Sequence, residues 1–141
     1  MKSTDAPVIV EQTFTTSIQN VWNALTKLDE MRQWYFADIE SFRPEVGFET
    51  RFRVQVEDRK FTHLWKVTEV LPLQKITYNW KYEEYPGDSF VTFELLQEQR
   101  KVKLRLLVKI VESFPSHIPE FSRESCIGGW NYFLGKNLTE Y

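Results

Sequence analysis

One histidine stands where it can do chemistry. In "KFTHLWKVTEVL" apolar and polar residues alternate, which sets His63 on the same side of an extended chain as Phe61, Trp65 and Val67. An imidazole among rings can serve as a base near neutral pH or as a hydrogen-bond partner for a bound molecule. The plainer alternative is a hydrogen-bonded inner histidine. His117 lies in the loop "SFPSHIPEFS", and two histidines so far apart, without HExxH-type spacing, make a weak case for zinc. Cys126 is the single cysteine, so no intramolecular disulfide and no cysteine-based metal site can be built. On a helix stripe it acts as a small apolar residue. Glu83 and Glu84 sit beside a Pro–Gly pair and read as solvated. Arg51, Arg53, Lys103 and Arg105 fall opposite the apolar sheet face and read as a solvent face. No Ser–His–Asp order and no glycine-rich phosphate loop occurs. No catalytic residue, metal or cofactor is therefore assigned.

The stronger signal is aromatic. Aromatic residues make up 16% of the 141, with five Trp and eleven Phe. Small-molecule pockets are mostly apolar and aromatic with a few placed polar groups. The candidate ligand-binding set is Phe48, Phe52, Phe61, His63, Trp65, Tyr78, Trp80 and Phe93 from the strands, with Cys126, Trp130, Phe133 and Asn137 from the last helix. His63, Tyr78 and Asn137 supply its polar groups. The same rings are also able to fill the space completely.

Net charge is −2 with no block of like charges, which argues against a nucleic-acid or anionic-membrane surface. No run approaches the ~20 apolar residues of a membrane span, and the first residues hold no apolar leader core. The expectation is a single domain over 1–141 in a cytoplasmic protein. Its oligomeric state is not legible.

The elements that position these residues follow from periodicity. "PVIVEQTF" is a first strand. "TTSIQNVWNALTKLDEMRQWYF" holds two short helices, the first opened by a Thr16–Gln19 capping box and the second capped by Asp29. Six meandering strands follow, beginning with one in "ADIESFRPEVG". A type II turn is expected at Pro86–Gly87. A long helix ends the chain. The expected fold is α+β: an antiparallel sheet of about seven strands covered by the final helix.

In that helix, "RESCIGGWNYFLGKNL", two adjacent glycines interrupt the apolar stripe, each about 1 kcal/mol worse than alanine. Phe121 would also point away from the sheet if the helix were straight. A bend at Gly128–Gly129 reconciles both; a tolerated weak spot on a solvent face is the alternative.

The element order, "VWNALT", the Pro–Gly turn and "GGWNYFLGKNL" together resemble the START-like superfamily, and within it the proteins related to the activator of the heat-shock-protein-90 ATPase. The most specific pieces are Val21–Trp22 and Gly129–Trp130, and the resemblance spans residues 8 to 141. It implies a helix-grip fold, with a curved antiparallel sheet around a long C-terminal helix and a cavity for an apolar ligand between them. It supplies no uniform catalytic motif. The Pro-rich "SFPSHIPEFS" and the sparse glycines after Arg43 depart from a generic member. Three functions are expected in descending order: non-enzymatic binding of a small lipophilic molecule, a chaperone-associated or stress-response role, and a cyclase- or hydrolase-type enzyme. The last needs a carboxylate near His63, which fold alone does not supply.

Overall fold

The alternating segments form six strands in a computed structural model that describes residues 1–141. These are β1 (Val8–Phe14), β2 (Glu49–Val56), β3 (Arg59–Leu71), β4 (Lys75–Tyr82), β5 (Asp88–Glu98) and β6 (Lys101–Glu112). They make one antiparallel sheet in the order β1-β6-β5-β4-β3-β2. β2 to β6 are a simple meander. β1 leaves its neighbours in sequence and pairs with β6 at the far edge, with Val8 opposite Val108 and Phe14 opposite Val102.

Period two decides the faces. Phe61, His63, Trp65 and Val67 of β3 are buried, as are Ile76, Tyr78 and Trp80 of β4, and Val102 through Ile110 alternate inward on β6. The residues between them form the outer face, where Glu11 pairs with Lys103 (3.3 Å) and Arg105 (2.9 Å) and Arg51 pairs with Glu83 (2.9 Å). Register shifts between Val67 and Glu69 and between Asp88 and Ser89 mark irregularities of the kind that bend a sheet.

The seventh strand does not form. Residues 37–48 are an irregular loop in which Ile39 and Phe42 are buried individually, and Pro44 denies the segment a ladder donor. Nor does Pro86–Gly87 close a hydrogen-bonded turn. Gly87 takes φ +124°, and a Cβ there would lie 2.2 Å from the Phe114 ring, so the loop needs a bare backbone at that point.

Between β1 and β2 lie α1 (Ile18–Thr26) and α2 (Leu28–Trp34). The cap of α1 is Ser17 rather than Thr16: Asn20 N donates to Ser17 Oγ at 3.1 Å. Lys27 precedes α2 as its N-cap residue without a side-chain hydrogen bond, and Asp29 sits in the first turn, where a carboxylate favours the helix dipole. After β6 a 3₁₀ turn (Pro119–Phe121) precedes α3 (Arg123–Trp130), which Ser122 caps through Ser125 N. The helix then continues with π winding over Asn131–Leu138.

That arrangement corrects the glycine argument. Phe121 is buried because it belongs to the turn before the helix, so no bend is needed to bring it inward. Gly128 is exposed, and a Cβ on either glycine would meet nothing within 4 Å. The irregularity lies one residue past Trp130, where hydrogen bonding widens to the i→i+5 pattern. Trp130, Leu134 and Leu138 are the buried residues of this final segment, while Tyr141 is half exposed and donates to Glu30. No helix is long and apolar enough to cross a membrane.

Candidate functional site

The middle of the space between sheet and helix is filled by rings, and the ring that fills it was not in the candidate set. Tyr35 follows α2 in irregular backbone, φ −107° and ψ −119°. It stacks on Trp34 (4.6 Å between ring centres) and Trp65 (5.4 Å), and meets Trp130 (5.7 Å), Phe133 (5.1 Å) and Phe93 (6.4 Å). Its hydroxyl bonds the Tyr78 hydroxyl at 2.8 Å. Burial holds both phenols well above their usual pKa.

This plug takes up three of the twelve expected lining residues. Trp65, Tyr78 and Phe93 are packed in the ring cluster and do not line the cavity between sheet and helix. Phe52 lies flat on His63 (4.7 Å, 11°), behind it as seen from the cavity. Phe48 packs on Phe42. Asn137 ties the final helix to α2, its Nδ2 donating to Trp34 O at 3.2 Å. None of these six borders a cavity between sheet and helix.

The other six, Phe61, His63, Trp80, Cys126, Trp130 and Phe133, do converge on one. It is a half-open cavity of about 360 Å³, of whose 19 lining residues 14 are hydrophobic. Phe36 bounds it on the Tyr35 side, packed on Phe133 and His63 at 5.0 Å each. Phe121 bounds the other side, set against Phe61, Tyr82 and Phe114 at 4.9–5.5 Å. Gly129 is part of the wall, so its missing side chain is part of the open volume. At the rim Glu120 accepts three hydrogen bonds from Arg59 at 2.6–3.0 Å. Two other grooves, about 620 and 580 Å³, open elsewhere and are lined at least half by polar residues.

Phe36, Tyr82, Phe114 and Phe121 were absent from the candidate set. Tyr82 was legible, since period two puts it on the face of Tyr78 and Trp80. The other three stand in loops and a 3₁₀ turn, where no periodicity announces a direction.

The polar atoms of the cavity form a small group. His63 is 4% exposed. Its Nδ1 lies 3.0 Å from Phe61 O. A carbonyl only accepts, so Nδ1 carries the proton and Nε2 presents a lone pair. Nε2 has no partner in the protein. Desolvation lowers the imidazole pKa to about 4, against smaller opposing effects of the Phe61 carbonyl and the Glu84 carboxylate. Glu84 itself is bound to Thr62, not to the imidazole. The Trp80 indole N–H is buried without a hydrogen-bond partner and lies near the Tyr82 hydroxyl, whose pKa burial raises well above its usual value. Burial likewise raises the Cys126 thiol to about 11. No three His, Cys, Asp or Glu side chains cluster as metal ligands would.

A curved antiparallel sheet gripping a C-terminal helix, with an aromatic cavity between them, defines a START-like, helix-grip protein. Residues 15–141 match the family described as Activator of Hsp90 ATPase homolog 1-like protein, and the chain belongs to that family. No curated protein sequence matches it. Among solved structures it is similar to CV1439 of Chromobacterium violaceum, with TM-score 0.77 and 17% identity over 96% of this chain and 97% of that one. It is similar to PFC0360w, an HSP90 activator from Plasmodium falciparum, with TM-score 0.72 and 17% identity over 94% and 92%. It is also similar to DynU16, a protein in the dynemicin biosynthetic locus, with TM-score 0.75 and 22% identity over 97% of this chain. There it spans 47% of the other chain.

Proposed function

We infer that residues 1–141 act as one binding domain for a small, largely apolar molecule held between the sheet and the final helix. The observation that carries this is the cavity of about 360 Å³, with its predominantly hydrophobic lining. That volume is within the usual range of small-molecule sites, about 300–1,000 Å³. The residues that would touch the ligand are Phe61, His63, Trp80, Cys126, Trp130 and Phe133. No carboxylate contacts the His63 ring, and desolvation lowers its pKa to about 4, below the range that suits a base at neutral pH.

The test uses the neutral fluorescent probe N-phenyl-1-naphthylamine. Saturable uptake at one site with quenching of tryptophan emission is the expected result. Gly129→Leu, which puts a side chain into the open volume without a clash at Cβ, should weaken uptake at least about tenfold while keeping the circular-dichroism spectrum. No uptake, or unchanged uptake in Gly129→Leu, overturns the reading.

Family membership supports a second reading, a chaperone-linked role. Stimulation of an Hsp90 ATPase by the Gly129→Leu variant as strongly as by the native chain would favour that role independently of the cavity.

A further inference from the structure

We propose that the cavity selects a neutral lipophilic alcohol or phenol, whose hydroxyl donates to His63 Nε2, over a carboxylate of the same carbon skeleton. The inference rests on the binding function proposed above and adds the chemical class of the ligand.

Three polar side chains border the cavity side by side. The His63 ring lies 5.3 Å from the Trp80 ring and 4.9 Å from the Tyr82 ring. Strand register produces this: His63 stands opposite Tyr82 across β3 and β4, and Trp65, two residues on, stands opposite Trp80. Their spare capacities differ. His63 Nε2 has a lone pair and no partner, because Nδ1 spends its proton on Phe61 O. The Trp80 N–H lies near the Tyr82 hydroxyl but makes no hydrogen bond of ordinary geometry. The Tyr82 hydroxyl makes no hydrogen bond of ordinary geometry and can give or accept.

A buried polar atom without a partner is costly, and the cost is recovered when a ligand supplies the complementary group. A hydroxyl both donates and accepts, so it can give its proton to Nε2 while accepting from Trp80 or Tyr82. A carboxylate only accepts. It would face the Nε2 lone pair and be desolvated there, and the one charge that acts on that imidazole is the Glu84 carboxylate, of its own sign. Two cations stand by the cavity, the Met1 ammonium, which donates to Phe121 O at 2.6 Å, and Arg59, engaged with Glu120; neither is among the charges that act on His63. Protonating His63 to receive the anion is opposed by the same burial that depresses its pKa.

The experiment titrates four ligands of one skeleton at pH 7 by tryptophan emission: 4-hexylphenol, its methyl ether, 4-hexylbenzoate and hexylbenzene. The methyl ether keeps the acceptor oxygen and removes the donor, so it tests the Nε2 contact in the unaltered protein. 4-Hexylphenol should bind about tenfold more tightly than the ether and more tightly still than the benzoate, the scale of one good buried hydrogen bond. His63→Leu should shrink the phenol-to-ether ratio to within about twofold and leave hexylbenzene within a few-fold. Equal affinity for phenol and ether, or a benzoate that matches the phenol, overturns the proposal and leaves the binding function standing. Binding of none of the four overturns both. A phenol-to-ether ratio that survives His63→Leu shows that another group receives the proton and also overturns the proposal.

Discussion

His63 is buried in the neutral form, and that has a measurable effect on stability. Its folded pKa is near 4, against about 6.5 in the unfolded chain. Between those values the unfolded state binds more protons, so stability rises with pH across the window. The contribution is complete above pH 6.5 and lost as pH falls towards 4, and it amounts to roughly 3 kcal/mol. His63→Gln should therefore flatten the stability curve between pH 4 and 6.5 in denaturant titrations. The carboxylates Glu11, Glu84 and Glu120, held below their usual pKa by hydrogen bonds, act in the same direction at lower pH and should be unaffected. An unchanged slope between pH 4 and 6.5 would mean that the imidazole is not desolvated as described.

The inward direction of His63 was legible, because alternation along "FTHLWKV" leaves it no other face. What Nδ1 bonds was not, since that depends on the ring's rotation and on a carbonyl two residues back. Tyr35 was missed for a different reason. It lies just beyond α2, in backbone that follows neither the helical nor the strand period, so its role as the central ring had no sequence signature. Trp65, Tyr78 and Phe93 were read as facing a cavity because alternation gives the direction of a side chain but not what already occupies the space.

At the scale of elements the period-two strands were the most readable part, and β2 to β6 lie where alternation puts them. The extra strand in residues 37–47 rested on propensity in a segment that has no sustained alternation. The final helix shows the opposite failure. Its stripe is largely right, but Phe121 was assigned a helical phase although the helix begins after it, at Arg123. The glycine pair changes meaning as a result. Gly128 faces solvent in regular helix with free space around it. Gly128→Ala should therefore stabilise the protein by about 0.4–1 kcal/mol, seen as a higher urea midpoint with unchanged m-value. A destabilisation would restore the hinge that the sequence suggested. Gly129 lies on the cavity wall, so its cost to the helix is tied to the volume it leaves open.

For the whole molecule, the contact between layers rests on rings, with one buried hydroxyl pair between the segment after α2 and β4. Tyr35→Phe should cost about 1–3 kcal/mol, because it strands the Tyr78 hydroxyl in a dry environment. Adding Tyr78→Phe should recover much of that loss, since two apolar edges then meet where two polar groups met. Thermal or chemical unfolding of the two single variants and the double would show it. Additive losses would mean that the hydroxyls find other partners.

The pairing of β1 with β6 has a consequence in time. Val8 waits for Val108, so about a hundred residues must be added before the first strand can meet its neighbour. At roughly 5–20 residues per second, synthesis leaves β1 without a partner for about 5–20 seconds. Its inward residues Val8, Val10 and Phe14 stay uncovered meanwhile, with a free strand edge beside them. The meander β2–β5 can pair through short loops as it emerges, whereas β1 closes the sheet only after β6 is made. The interval in which this chain is most exposed to aggregation is thus set by translation speed, and slowing the ribosome between residues 15 and 100 lengthens it.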